Sequence, residues 1–234
     1  NTNYQNSYGL DGDEHYSSSI DIAILASRII KDFPQYFPWY SQQTFSSEKI
    51  RDLKTDQPIK QYNRNKLLKR DKSVDGMKTG YTSSAGYCLV ATAEKDSMRL
   101  IAVVTGSKSP DDRTDAASAL LNYGFRFFEN KILVDPLTIY AEAKVWKGED
   151  ENISLVTNKE FFQTIPKGSF KNIRSNIEIF GPIIAPIDTN QPIGKLTLTL
   201  DQDILVDTPL FSNKAIKKDS IWGQIYDSAI LLFE

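Results

Sequence analysis

The chain contains one cysteine and one histidine in 234 residues. Cys88 alone cannot close an intrachain disulfide, and no cysteine-ligated metal site can be built from it. The histidine count by itself excludes an HExxH zinc site. A Ser-His-Asp triad would have to use His15, whose setting, "DGDEHYSSS", is polar and loop-like and reads as a solvated surface position. An excess of basic residues is also missing. The net charge is −2, no polybasic block occurs, and no nucleic-acid partner is expected. No apolar run reaches the roughly eighteen residues of a membrane-spanning helix. Neither an initiator methionine nor a signal peptide opens the chain. Asn1 falls in the middle of loop-like sequence, so further polypeptide is expected upstream.

What is present reads as globular. Hydrophobic residues make up 40% and charged residues 25% of a length that suits one large domain or two ordinary ones. After a loop rich in Asn, Gly, Asp and Ser, Ser18 with Asp21 resembles a helix start, a looser version of the capping box. Ile22, Leu25, Ala26, Ile29 and Ile30 keep a helical period until Pro34 stops it. The aromatics Phe33, Tyr36, Phe37, Trp39 and Tyr40 read as core and hinge packing rather than a base-stacking platform. From Phe45 to Leu68 the pattern is weak. Met77 to Thr82, Tyr87 to Ala93 and Leu100 to Thr105 read as strands, the last continuously apolar and so expected to be covered on both faces. The polar turn "EKDSM" joins the second and third. A helix is expected from Asp111 to Phe128, with Ala116, Leu120, Leu121 and Phe125 near one face.

Beyond about Asp135 the helical period disappears. Alternating segments take over: "TIYAEAKVW", "NIEIF" and "GKLTLTLDQDILVD", the last with Leu196, Leu198 and Leu200 on one side and Thr197 and Thr199 on the other. Pro166-Lys167-Gly168 and Gly181-Pro182 mark turns. A small all-β domain over 136–215 follows from this pattern. In "SIWGQIYDSAILLFE", Trp222, Ile225, Tyr226, Ala229, Leu232 and Phe233 recur at three- and four-residue steps. Pattern alone leaves two readings open: a helix packed on its own domain, or the start of a helix lying in a membrane surface.

The stretch "VDGMKTGYTSSAGYCLVATA", Val74 to Ala93, carries the most chemistry. Lys78 brings an ammonium beside a strand and Thr79 a hydroxyl. Gly80 removes a side chain, so that a ligand backbone can approach the strand edge. The backbone N–H of Tyr81 is then suited to hold a developing oxyanion. A strand edge binds an extended peptide by strand addition, and a cation with a hydroxyl suits a carboxylate. A bare Lys-Thr-Gly triplet is common by chance. Its context is what gives it weight.

In order along the chain, "YGLDGDEHYSSSIDIAILA", "NRNKLL", "VDGMKTGYTSSAGYCLVATA", "RLIAVV" and "DRTDAASALLNYGFRFFE" resemble the low-molecular-mass penicillin-binding proteins, the serine-type D-alanyl-D-alanine carboxypeptidases. The resemblance covers residues 1–130. It implies an α+β fold: the C-terminal part of a β-lactamase/transpeptidase-like α/β catalytic domain (1–132), a β-rich second domain (136–215), and the start of an amphipathic membrane-anchor helix (219–234). It implies that Lys78, Thr79 and Gly80 form the strand motif at the active-site edge. Tyr81, where members of that family often carry histidine, would complete the oxyanion hole through its N–H. Arg113, and less directly Arg64, would bind the substrate's terminal carboxylate. Without that context each arginine reads as a surface salt bridge. No cofactor or metal is implied.

The family's nucleophile is the serine of S-x-x-K, accompanied by an S-x-N motif. The one S-x-x-K string here, Ser46-Ser47-Glu48-Lys49, lies in "QQTFSSEKIRDLKTDQ", too polar for a helix entering a core. No S-x-N string occurs. The resemblance therefore implies a parent enzyme that trims the terminal D-alanine of peptidoglycan pentapeptides through an acyl-enzyme and binds β-lactams. Its nucleophile would lie in a missing N-terminal half of the catalytic domain, and these residues alone would be inactive with exposed apolar surface. Its place would be the periplasmic face of the bacterial cytoplasmic membrane. The alternatives are a β-lactamase-like hydrolase, which the β-rich domain and tail argue against, and a non-catalytic wall-binding or scaffold protein.

Overall fold

The computed structural model describes residues 1–231, which divide into two compact units, Asn1–Phe127 and 128–231. The first unit opens with a loop pinned by a bridge between Asn3 and Tyr16. Helix α1 (Ser19–Asp32) follows. The Ser18 hydroxyl accepts a hydrogen bond from the Asp21 amide, satisfying one of the unpaired N–H groups of the first turn. A 3-10 turn over Phe37–Ser41 leads into a hairpin of β1 (Thr44–Arg51) and β2 (Pro58–Tyr62). Short helix α2 (Leu67–Arg70) precedes a three-stranded antiparallel sheet in the order β3 (Val74–Thr82), β4 (Gly86–Lys95), β5 (Met98–Ser107). The turn between β4 and β5 places both Asp96 and Ser97 at positive φ, the conformation that matches the twist of a two-residue hairpin. Helix α3 (Pro110–Phe127) closes the unit.

Cross-strand register sorts the sheet's two faces. Met77, Ala91 and Ala102 share one row, and Leu89 and Val104 continue that face; Lys78, Val90 and Val103 form a row on the other. The first face packs with Ala117 and Leu121 of α3 in one buried cluster that includes Leu67, Val74, Ala93 and partly buried Leu100 and Phe125. Each large apolar side chain buried here, such as Leu89, contributes about 1.5–3 kcal/mol.

Three expectations need correction. The buried stripe of α3 runs through Arg113, Thr114, Ala117 and Leu121, whereas Ala116 is exposed and Leu120 is 51% exposed. A Cβ on Gly124 would stand 2.4 Å from Leu100 Cδ1, so the absence of a side chain there lets α3 lie close against β5. The aromatic group before the hairpin is only half core. Phe37 and Tyr40 are part-buried, but Phe33, Tyr36 and Trp39 are exposed. β5 is less covered than its sequence suggests, since only Met98 and Ala102 are fully buried on it. As the last strand of the sheet it lacks a neighbour on one side among the described residues.

The second unit is β-rich. β6 (Phe128–Val134) pairs with β9 (Phe161–Pro166). A six-stranded sheet runs in the order β10 (Arg174–Ile179), β12 (Pro192–Leu200), β13 (Asp203–Ser212), β8 (Asn152–Val156), β7 (Ala141–Trp146), β11 (Ile183–Ile184). The alternation in β12 holds as far as Leu198: Leu196 and Leu198 are buried while Thr197 and Thr199 are half-buried, but Leu200, past an irregularity in the pairing with β13 between Leu198 and Thr199, is only half-buried. Gly168 and Gly181 adopt φ of +80° and +78°, which explains the turns read at those positions. Val134, Val145, Ile153, Leu155, Leu196 and Leu210 belong to one buried cluster spanning the strands. Helix α4 (Ile221–Ile230) ends the described chain. The fold class is α+β, a mixed helix-and-strand unit followed by an all-β one with a terminal helix.

Candidate active site

Helix α1, α3 and the β3 edge surround a cleft of about 1380 Å³, and every residue lining it belongs to the first unit. β3 is one of the two edge strands of its sheet, paired only with β4 among the described residues. Lys78, Thr79, Gly80, Tyr81, Arg64 and Arg113 all line this cleft, so the structure brings together all six residues singled out from the sequence. Lys78 sits on the sheet face opposite the α3 packing layer, in the row with Val90 and Val103. Its exposed ammonium donates to the carbonyl of Thr79. A Cβ on Gly80 would meet Cys88 Cβ at an unremarkable 3.7 Å, so the glycine is not demanded by internal crowding and instead leaves the strand surface open. Tyr81 is 59% exposed and stacks on Tyr87 with ring centroids 4.2 Å apart.

Arg113 differs from the surface ion pair that its sequence context alone suggests. It is 5% exposed. Its Nη1 donates to the carbonyls of Gly80 at 2.9 Å and Cys88 at 3.2 Å, and its guanidinium lies over the Tyr87 ring. Among the described residues no carboxylate forms a salt bridge with it, and its buried Nε has no hydrogen-bond partner. Burial lowers its pKa from the ordinary arginine value, and the like charge of Arg64 pushes the same way. A buried cation of this kind, lining a cleft without a carboxylate partner among the described residues, has the chemistry to receive an anion.

Arg64 is exposed and held between two asparagines that sequence reasoning passed over. Asn63 donates to the carbonyls of Tyr40 and Gln42, and its Oδ1 accepts from the Asn65 amide. Asn65 is 2% exposed; it donates to the Gly76 carbonyl at 2.9 Å and accepts from the Leu67 amide at 3.1 Å. It thereby ties the segment carrying Arg64 to β3, two residues before Lys78. The available signal was the alternation Asn-Arg-Asn, polar residues of the type that brace turns through their own side chains. Asp75 braces the same strand: it accepts from Thr92 and pairs with Arg99, which lies over Phe37. Lys66 and Arg70 pair with Asp111 and Arg70 with Asp115, so that exposed ion pairs clip α2 and its N-cap to the first two turns of α3.

His15 departs from the solvated position expected of it. It is half-buried, its Nδ1 accepts from the Gln5 amide at 3.0 Å, and it lines the cleft beside Tyr4. A tertiary partner, invisible in a polar run, recruits it to hold the opening loop. The rejected S-x-x-K string lies in β1, where Ser46, Glu48 and Lys49 are exposed and Ser47 is half-buried, so it begins no helix.

This architecture, a mixed helix-and-strand unit with an edge-strand cleft followed by a β-rich unit, is that of the penicillin-binding proteins. Residues 1–109 match the family model described as D-alanyl-D-alanine carboxypeptidase, and residues 128–218 match that of the penicillin-binding protein 5 C-terminal domain. D-alanyl-D-alanine carboxypeptidase DacA of Escherichia coli (strain K12) is 35% identical over 238 residues, covering 100% of this chain and 56% of that protein. DacF of Bacillus subtilis (strain 168) is 34% identical over 219 residues, covering 93% and 55%. The crystal structure of penicillin binding protein 5 from Haemophilus influenzae superposes with a TM-score of 0.71 at 35% identity, covering 93% of this chain and 62% of that one. The chain belongs to the D-alanyl-D-alanine carboxypeptidase family. It spans about half the length of the curated relatives it matches.

Proposed function

We propose that the protein carrying this chain is a serine D-Ala-D-Ala carboxypeptidase that removes the terminal D-alanine of peptidoglycan pentapeptides. The observation that carries this reading is the buried Arg113 guanidinium, without a carboxylate partner among the described residues, lining the same cleft as Lys78. A peptide lying along β3 would set its terminal carboxylate toward Arg113 and Arg64. Its scissile carbonyl would then lie near the Tyr81 amide. The nucleophilic serine and its base belong to polypeptide outside these residues, since Ser46 sits on an exposed strand. Attack by that serine would expel D-alanine and leave an acyl-enzyme, which water then cleaves. Lys78 would supply positive charge as the oxyanion forms, and Thr79 would hydrogen-bond the substrate. β-Lactams would acylate the same serine.

Residues 1–132 would be the C-terminal part of the catalytic domain and 136–215 the β-rich domain. Exposed Ile20 and Ile24 on α1 and Leu10 before it are the apolar surface against which the remaining catalytic half would pack. These residues alone would be inactive. The location would be the periplasmic face of the cytoplasmic membrane. α4 supports this: Gln224, Asp227 and Ser228 are part-buried, with Asp227 accepting from the Lys147 amide, while Ile221, Trp222, Ile225 and Tyr226 face outward. An apolar face turned to solvent suits an interfacial helix better than internal packing. Leu232 and Phe233 lie outside the described residues.

The test is release of D-alanine from a synthetic pentapeptide ending in D-Ala-D-Ala by the full-length protein. Stoichiometric release, slowed strongly by Arg113→Ala, is expected. A folded protein that leaves the pentapeptide intact would overturn the reading.

A further inference from the structure

Arg113 is held by more than its two carbonyls. Its Nη1 is engaged by Gly80 and Cys88, and its buried Nε has no hydrogen-bond partner among the described residues. The guanidinium carbon stands 5.5 Å from the centroid of the Tyr87 ring. Tyr87 is in turn stacked on Tyr81, with centroids 4.2 Å apart and planes inclined by 30°. Register brings the two rings together: Tyr81 and Tyr87 are direct partners across β3 and β4, and opposite residues on one face bring their Cβ atoms to about 5 Å. Thr79 and Leu89 are the next pair on that face, and Leu89 belongs to the layer that packs against α3. The tyrosine pair therefore stands on the side of the sheet from which α3 delivers Arg113, its fourth residue.

Tyr87 is not an ordinary core aromatic. It is half-buried, lines the cleft, and lies outside the buried cluster that takes in Leu89 two residues further on. The pairing of β4 with β5 also slips here: Tyr87 faces Ser107 while Leu89 faces Val104, which leaves one extra residue on β5. An irregularity of this kind twists a strand locally and re-aims side chains.

The ring gives Arg113 something the carbonyls cannot. A buried guanidinium gives up its water. Two carbonyls at Nη1 replace part of that hydration but fix the group at one nitrogen, about which it can still turn. The negative face of an aromatic ring attracts the whole delocalised cation and removes that freedom. Orientation matters because a guanidinium recognises a carboxylate through a planar fork of N–H donors.

We propose that Tyr87 is a positioning residue: its ring, steadied by Tyr81, holds the Arg113 guanidinium in the orientation that receives a terminal carboxylate, and so sets the preference of the cleft for a free C-terminus over a neutral one. The inference rests on the peptide reading of this cleft. Its binding contact can be measured whether or not the peptide is cleaved.

In the first arm the full-length protein is titrated with N-acetyl-D-alanyl-D-alanine and with its C-terminal amide, while backbone amide NMR shifts are followed. The two ligands differ in the charge at the terminus, and the wild type should favour the acid. Tyr87→Leu removes the ring and should weaken the acid about five- to tenfold while leaving the amide within about twofold. Tyr87→Phe keeps the ring and should stay within about twofold of the wild type for both ligands. Equal losses for acid and amide would mark a structural role and overturn the inference. So would an acid preference that Tyr87→Leu leaves intact, or a wild type without one. Should Tyr87→Leu fail to fold, Tyr81→Leu decides, since that side chain is 59% exposed. It should weaken the acid about two- to fivefold with the amide unchanged; unchanged acid binding there overturns the inference.

In the second arm D-alanine release from the pentapeptide is followed. Tyr87→Leu should raise KM about as much as it weakens the acid, with kcat within about twofold; a fall in kcat at unchanged KM overturns the inference. An acid preference lost in Tyr87→Leu, with no D-alanine released by the wild type, would leave the positioning role standing and remove the carboxypeptidase reading. Release that Tyr87→Leu leaves unaffected would do the opposite.

Discussion

The two units solve the problem of a core differently. In the second, fully buried Ile153, Leu155, Leu196 and Leu210 interlock across strands, and large branched side chains fill the space. In the first, the layer between sheet and α3 is built largely on Ala91, Ala93, Ala102 and Ala117. The small residues let α3 come close to the sheet. The other face of that sheet is given to a cleft containing a lysine and bordered by arginines. A unit that leaves one sheet face to an open cleft buries less apolar surface than one that uses its faces for packing. The first unit is expected to be the functional and less stable part of the chain, the second the self-sufficient part.

The largest effect expected from this contrast is chemical. Lys78→Ala in the full-length protein should slow acylation by labelled penicillin about 10²- to 10³-fold, the usual cost of removing one preorganised charge-stabilising donor. The unfolding transition of the second unit should not move. Near-normal acylation would remove Lys78 from the site.

Stability comes next. Leu196→Ala deletes a fully buried side chain from the second unit's core and should cost about 2–5 kcal/mol in chemical denaturation. The loss should appear in the second unit's transition; equal losses in both transitions would mean that the units do not unfold separately. Asn65→Ala should cost about 1–3 kcal/mol, because the Gly76 carbonyl and Leu67 amide lose their buried partner. That cost should fall on the first unit, together with a weaker affinity for anionic peptides as Arg64 loosens. Unchanged affinity in Asn65→Ala would separate the brace from the site.

The smallest effect is electrostatic. Asp71 has its pKa lowered, first by hydrogen bonds from the Ser73 side chain and amide and then by Lys95. A carboxylate depressed in the folded state contributes stability that is present above its unfolded pKa and lost as pH falls through the folded one. Asp71→Asn should therefore lower the first unit's stability at neutral pH and flatten its decline below the ordinary carboxylate range. An acid profile identical to wild type would contradict the assignment.

Much of this was legible in the sequence, for reasons that differ between the units. Alternation in "GKLTLTLDQDILVD" exposed β12 and β13 because one face is buried and the other is not. Ser18 and Pro34 bounded α1 through capping and ring sterics. The site residues could be picked out because the order of several stretches, not the Lys-Thr-Gly letters, resembled one family. The hairpin β1–β2 escaped notice because nearly all of its residues are exposed, so no apolar period marks it. The face of α3 was misjudged because periodicity weighs Leu120 above Arg113, whereas tertiary contacts from Gly80 and Cys88 draw the arginine inside. Asn65 and His15 owe their roles to partners ten or more residues away.

The most direct test of the central claim, that β3 forms one wall of an acylating peptide site, is intact mass spectrometry of the full-length protein after exposure to penicillin. The account predicts one stable covalent adduct on a serine outside residues 1–234, formed far more slowly in Lys78→Ala. A folded protein that acquires no adduct, or one labelled at Ser46, would contradict it.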